Sequence, residues 1–114
     1  MRELTRRDFE EAGYKRFDPP PYEREECITD MFQKCFRDKD GNKLYFITVE
    51  RWDYTPVARG KNIPISYNFV VQFETTEGRT VNIDMFSDFD IEAAENLTKK
   101  IWNTGWFKAY EKIC

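Results

Sequence analysis

The clearest pattern in the chain is a two-residue alternation in "ISYNFVVQFETTEGRTVNIDMF". Ile65, Tyr67, Phe69, Val71 and Phe73 alternate with Ser66, Asn68, Val70, Gln72 and Glu74. A period of two sends one set of side chains to each face, so this stretch predicts a half-buried strand. Gly78 marks the turn that follows, and Val81, Ile83 and Met85 resume the alternation. The whole predicts a β-hairpin. Upstream, "MFQKCFRD" and "KLYFITVERWDY" flank "DKDGN". Asp40-Gly41 stands where a tight reversal is wanted, since glycine tolerates positive φ, and a second hairpin is predicted. In its second arm Tyr45, Ile47 and Val49 share one face, while Leu44, Phe46, Thr48 and Glu50 share the other. Apolar residues on both faces predict a central strand, covered on both sides over part of its length.

Towards the ends the period changes. "SDFDIEAAENLTKKIWNTGW" puts Ile91, Ala94, Leu97, Ile101 and Trp102 on one stripe, which predicts an amphipathic helix. Ser87, Asp88 or Asp90 serves as its N-cap, Lys99 and Lys100 suit its last turn, and Gly105 ends it. In the opening "LTRRDFEEAG", Thr5 is the predicted N-cap and Asp8 the third residue of a capping box. Leu4 and Phe9 match a hydrophobic staple, and Gly13 stops the helix. So short a helix must dock on something to persist. The prolines of "YKRFDPPP" impose an extended segment without backbone donors. "YEREECITD" fits a helical turn or the lead-in to a strand. The tail, apolar at 106, 107, 110, 113 and 114, favours another short helical piece. The order predicts a single α+β domain over residues 1–114. Its four-stranded antiparallel sheet is two consecutive hairpins, preceded by a short N-terminal helix, with the C-terminal amphipathic helix packed on one face.

Composition narrows the chemistry. The chain has 114 residues, 17% of them aromatic, enough for one domain with a rigid core. Its 21 acids and 18 bases give a net charge of −3, and all the excess negative charge lies beyond residue 61. That balance disfavours broad nucleic-acid binding, which needs a clustered basic face. Cys27, Cys35 and Cys114 are odd in number and form no C-x-x-C, so reduced thiols in the cytoplasm are expected. Cys27 and Cys35 are either buried small hydrophobes or a pair, should neighbouring strands bring them together. The charged N-terminus lacks a signal peptide's apolar region, and no apolar run has membrane-spanning length.

The chain contains no histidine. That removes Ser-His-Asp and Cys-His catalysis and most zinc or iron sites. Phosphate-loop, dinucleotide and nucleophile-elbow motifs are missing as well. "DKDGNK" and "DFDIE" imitate calcium loops, but Lys43 and Ala93 stand where the loop needs glycine, and Val49 and Lys99 where it needs glutamate. They read as a hairpin turn and a capped helix start. No metal or cofactor is expected.

Three segments are candidate contact surfaces. In "RWDYTPVARGKNIP", residues 51–64, Arg51, Arg59 and Lys61 surround Trp52 and Tyr54. Interleaved aromatics and cations can stack bases and hold phosphates. The same residue types dominate protein–protein hot spots, and with the acidic balance a protein partner is favoured. The plainer reading has Trp52 capping the sheet core and the rest crossing over. Trp106, Phe107 and Tyr110 form a second candidate, needing a surface on the first helix or on a second copy of the chain, as in a homodimer. The third is acidic: "DMFSDFDIEAAE" carries Asp84, Asp88, Asp90, Glu92 and Glu95 without a base. It is either a solvated helix start or a negative surface that occupies a basic groove on another protein.

The stretches "LTRRDFEEAGYKRFD", "KLYFITVERWDY" and "VVQFETTEGRTVNIDMF" resemble, in style and order, small uncharacterised proteins of bacteriophages and prophages. The resemblance implies action by binding host or phage proteins, as in those that inhibit bacterial defence systems. It assigns no functional residue. The expected function is a non-enzymatic protein-interaction module. Its alternatives are a single-stranded nucleic-acid binder using Trp52, Tyr54, Arg59 and Lys61, and a carboxylate-dependent hydrolase using the acids of 84–92.

Overall fold

The computed structural model describes residues 4–19, 27–75, 77–87 and 90–105, with 83–87 described by backbone alone. Thr5 opens α1 (Arg6–Glu11) with the expected capping box. Its hydroxyl accepts from the Asp8 N–H at 3.3 Å, and Asp8 Oδ2 accepts from the Thr5 N–H at 2.7 Å. Gly13, at φ 94°, turns the chain out of the helix, and the Tyr14 N–H donates to the Phe9 carbonyl at 2.9 Å. The strands β1 (Lys15–Phe17), β2 (Ile28–Arg37), β3 (Lys43–Trp52), β4 (Ser66–Glu74) and β5 (Thr80–Ser87) follow, then α2 (Ile91–Thr104). They form one antiparallel sheet in the order β1-β2-β3-β4-β5.

The sheet therefore has five strands, not the expected four. The extra one lies in the segment read only as extended. Lys15, Arg16 and Phe17 pair with Gln33, Phe32 and Met31. All three side chains of β1 are exposed, so no alternation marks it. What fixes it is a long-range ion pair. Arg16 Nε donates to the largely buried Asp30 carboxylate of β2 at 2.6 Å, and Arg6 of α1 reaches the same oxygen at 3.3 Å. Asp30 thus ties both N-terminal elements to the sheet, and the bond to Asp30 is the main reason the Arg16 guanidinium holds its proton more tightly than usual. The expected hairpin turn is present at 38–42. Asp38 Oδ1 accepts from the Asp40 and Asn42 N–H groups, both at 2.9 Å, and Gly41 supplies φ 84°. These bonds hold the Asp38 carboxyl below its usual range.

The alternation in β4 lands as predicted: Tyr67, Phe69, Val71 and Phe73 are all buried. The core they help form is centred on a residue of α1. Phe9 is 0% exposed, stacked on Phe32 at 4.5 Å, with Tyr67 at 5.3 Å, Tyr14 edge-on at 5.7 Å and Phe69 at 6.2 Å. Ile47, Val49 and Ala94 complete that cluster, with Leu4, Ile65 and Ile91 packed against it. The first helix is a plug in the core, and Tyr67 locks it by donating to the Leu4 carbonyl at 2.8 Å. The short first helix, expected to need a docking surface, shares the covering role with the C-terminal helix.

Asp90 caps α2, its Oδ1 accepting from the Ala93 N–H at 2.6 Å, and Gly105 ends it at φ 71°. The buried stripe differs from the expected one. Ala94 and Thr98 are buried, whereas Leu97 and Ile101 are half-exposed. Thr98 is tolerated because its hydroxyl donates to the Ala94 carbonyl at 2.8 Å, leaving no orphaned polar atom. Trp102 extends the roof over a smaller cluster, 5.0 Å from Tyr45 and 6.4 Å from Phe73. Among the described residues no helix is long and apolar enough to cross a membrane.

Candidate functional site

The connection after β3 begins later than 51, because Arg51 and Trp52 still belong to the strand. Arg51 is tied down: its Nη1 donates to Thr29 Oγ1 at 2.6 Å and lies 3.9 Å from Asp53. Trp52 is half-buried and stacks on Tyr54 at 5.8 Å, its indole N–H donating to Glu50 at 3.4 Å. Asp53 accepts from the Thr55 hydroxyl at 2.6 Å and N–H at 3.0 Å, which lowers its pKa and starts a short 3-10 turn (Thr55–Val57). Arg59 (φ 49°) and Gly60 (φ 83°) then form a reversal closed by Lys61 N–H to Ala58 O at 3.0 Å. Positive φ at both central residues is the type I′ pattern. Arg59 and Lys61 are exposed, as are Val57 and Ile63. Of the five residues predicted here, two cations point outward, while Arg51 and the aromatic pair are engaged within the fold.

The structure joins part of the acidic segment to carboxylates from the opposite end of the chain. Asp90, Glu92 and Glu95 of the α2 segment line an open, shallow depression of about 450 Å³ together with Asp8 and Glu11 of α1. Leu4, Ala12 and Ile91 form its apolar part. Glu11 pairs with Arg7 at 2.8 Å, and Glu95 with Lys34 of β2 at 2.9 Å. Asp8 and Asp90 accept from helix-start amides, where the helix dipole favours negative charge. Glu92 is exposed in the first turn of α2. Glu95 is half-buried and anchored rather than free, accepting also from the Tyr14 hydroxyl at 3.2 Å. Burial, and then the Glu95 charge, push the Tyr14 phenol far above its ordinary value. Asp88, Trp106, Phe107 and Tyr110, and the side chain of Asp84, lie outside the described residues.

The sheet face away from the helices is a third surface, and here β3 is central as expected. Gln33 Nε2 donates to Thr48 Oγ1 at 3.1 Å, Thr48 Oγ1 to Gln72 Oε1 at 2.7 Å, and Gln72 Nε2 to Asn82 Oδ1 at 2.8 Å. This relay crosses four strands in one direction, which lets Thr48 be only 6% exposed without an unmet bond. Phe46 and Cys35 lie beside it in a shallow depression of about 500 Å³, with Phe17 at the β1 edge 38% exposed. Among the described residues both helices pack on the opposite side, so the cover expected on both faces of β3 is found on one. Cys27 is buried and Cys35 is exposed, and both are free thiols. The pairing considered for them is not formed, and only Cys27 is the buried hydrophobe expected of both.

No protein-family model, curated protein or solved structure matches the chain. Sequence reading missed Asp8 and Glu11 as partners of the α2 acids, because their approach is tertiary. The visible signal was the spacing of Asp8 and Glu11, three residues apart and so on one side of α1. It also missed the relay, although Thr48 and Gln72, each set between two apolar neighbours, mark its centre.

Proposed function

We propose that this chain is a non-enzymatic protein-interaction module whose acidic depression engages a basic surface on a partner protein. One observation carries this reading: helices from opposite ends of the chain converge to line a single depression with Asp8, Glu11, Asp90, Glu92 and Glu95. A surface patch of one charge sign steers and speeds encounter with the opposite sign. The same charge repels phosphate, which argues for a protein over a nucleic acid. The apolar part formed by Leu4, Ala12 and Ile91 offers the desolvated contact that gives an interface its strength. The resemblance to bacteriophage proteins extends the reading to a phage-encoded binder or inhibitor of a host protein, and the free thiols of Cys27 and Cys35 fit a reducing cytoplasm.

The test is capture from bacterial lysate by immobilised protein at low salt. The expected result is a basic partner, eluted by salt and lost to a Glu11→Lys, Glu92→Lys double variant. A partner held equally well by that variant defeats the acidic depression, and turnover of a small substrate with no partner defeats the module. A second reading rests on Arg59 and Lys61, exposed beside the Trp52–Tyr54 stack. It has single-stranded nucleic acid binding there, and predicts salt-sensitive fluorescence quenching by oligonucleotides that disappears in Trp52→Phe. No quenching at low salt removes it.

A further inference from the structure

We propose that the open face of the sheet is where two copies of this chain associate, related by a two-fold axis running along β3. This surface is separate from the acidic depression, so the inference stands or falls independently of the partner reading. It starts from the register. Cys35 of β2 pairs with Phe46 of β3, Phe46 with Gln72 of β4, and Gln72 with Asn82 of β5. One step towards the hairpin end, the same face carries Arg37 on β2, Lys43 on β3 and Glu74 on β4. All three are exposed, and none forms an ion pair among the described residues.

That row is complementary to itself. An axis along β3 exchanges β2 and β4 between facing copies. It sets Arg37 of each copy against Glu74 of the other and leaves each Lys43 between the two carboxylates. It also puts the half-buried Phe46 of one copy against Phe46 of the other, at the centre of the patch. Reciprocal contact of this kind, residue i on j and j on i, defines a two-fold interface. No comparable match is offered to a uniformly acidic or basic partner, since the row carries both signs.

The polar relay makes such burial affordable. A face lined with amides and hydroxyls normally loses on desolvation, because each group gives up water. Here Gln33, Thr48, Gln72 and Asn82 are already bonded to one another, so little is left unmet when water is excluded. About this axis β2 faces β4 and β3 faces itself, so strand spacing and rise give a shared patch of roughly 14 by 23 Å over β2–β4. That lies below the size range of stable interfaces, so a weak, transient dimer that forms only at high concentration is expected.

The experiment is sedimentation equilibrium of the full chain up to about 500 μM, a range that spans micromolar dissociation constants. Wild type is expected to approach twice the monomer mass. Arg37→Glu alone and Glu74→Arg alone each place like charges across the axis, and each weakens association by about tenfold or more. The decisive arm mixes the two variants. Each repels itself, yet their heterodimer restores both opposite-charge pairs, so the mixture regains dimer. Circular dichroism shows whether each variant is folded, and the mixed sample carries its own control. A wild type that stays monomeric throughout, single variants that dimerise like wild type, or a mixture that stays monomeric each overturns the proposal.

Discussion

Replacing Phe9 with alanine tests whether α1 is a plug or an ornament. The ring is fully buried against Phe32, Tyr14, Tyr67 and Phe69. Truncating a buried phenylalanine to alanine costs about 3–5 kcal/mol, from lost transfer energy plus the cavity left behind. Two features place this site within that range. The aromatic contacts add to the loss, each worth about 0.5–1.5 kcal/mol beyond buried area. Against them, the short helix can settle partway into the hole. A loss of about 4 kcal/mol results, a large share of the roughly 5–15 kcal/mol that a domain possesses. With a urea slope of roughly 1–3 kcal/mol per molar, the unfolding midpoint falls by more than about 1 M. Phe9→Leu keeps most of the volume and costs about 1 kcal/mol. Hydrogen exchange supplies the local readout: α1 is too short to persist undocked, so its amides and the Tyr14 N–H lose protection in the alanine variant. An alanine variant within about 1 kcal/mol of wild type, with those amides still protected, refutes the packing described for α1.

Three further outcomes follow from named contacts. Asp30→Ala removes the shared acceptor of Arg6 and Arg16, so a loss of about 2 kcal/mol is expected in chemical denaturation, with the exchange protection of β1 collapsing first. A double-mutant cycle on Lys34→Met and Glu95→Gln, measured by urea unfolding, should return a coupling of about 0.5–1 kcal/mol, because both side chains are about a quarter exposed and held at 2.9 Å. Burial raises the Tyr14 and Tyr45 phenols above their unfolded value, so the folded state prefers them protonated. Their contribution is complete below the ordinary tyrosine pKa and is lost as pH rises beyond it. Stability should therefore drop above about pH 10, and Tyr14→Phe should flatten that alkaline limb; an unchanged limb in the variant contradicts the assignment.

How far the fold could be read from the chain depended on length and on which contacts were local. β4 spans enough residues for Tyr67, Phe69, Val71 and Phe73 to declare a face, and the helix caps at Thr5 and Gly105 are decided within four residues of sequence, whereas Asp90 was one of three candidate caps. β1 is too short for periodicity, and its anchor Asp30 lies beyond the proline segment. The depth of α1 rests on one side chain, Phe9, which no repeat could reveal. Thr98 was passed over because its suitability for burial comes from a bond to its own helix backbone. The candidate surfaces divide the same way. The α2 acids were legible as a charge run, but Asp8 and Glu11 join them only through the fold. Phe46, Arg37 and Glu74 could be assigned to strands, yet only the register puts them on one open face.

The claim on which the surfaces depend is that, among the described residues, helices roof one side of the sheet and leave the other accessible. Thiol labelling of the native protein, at low concentration and with each site mapped by peptide mass, addresses it directly. Cys35 lies on the open face and Cys27 is buried. The account predicts that Cys35 reacts close to the rate of an unfolded control while Cys27 stays protected until the chain unfolds. Cys35 as slow as Cys27 under those conditions contradicts it.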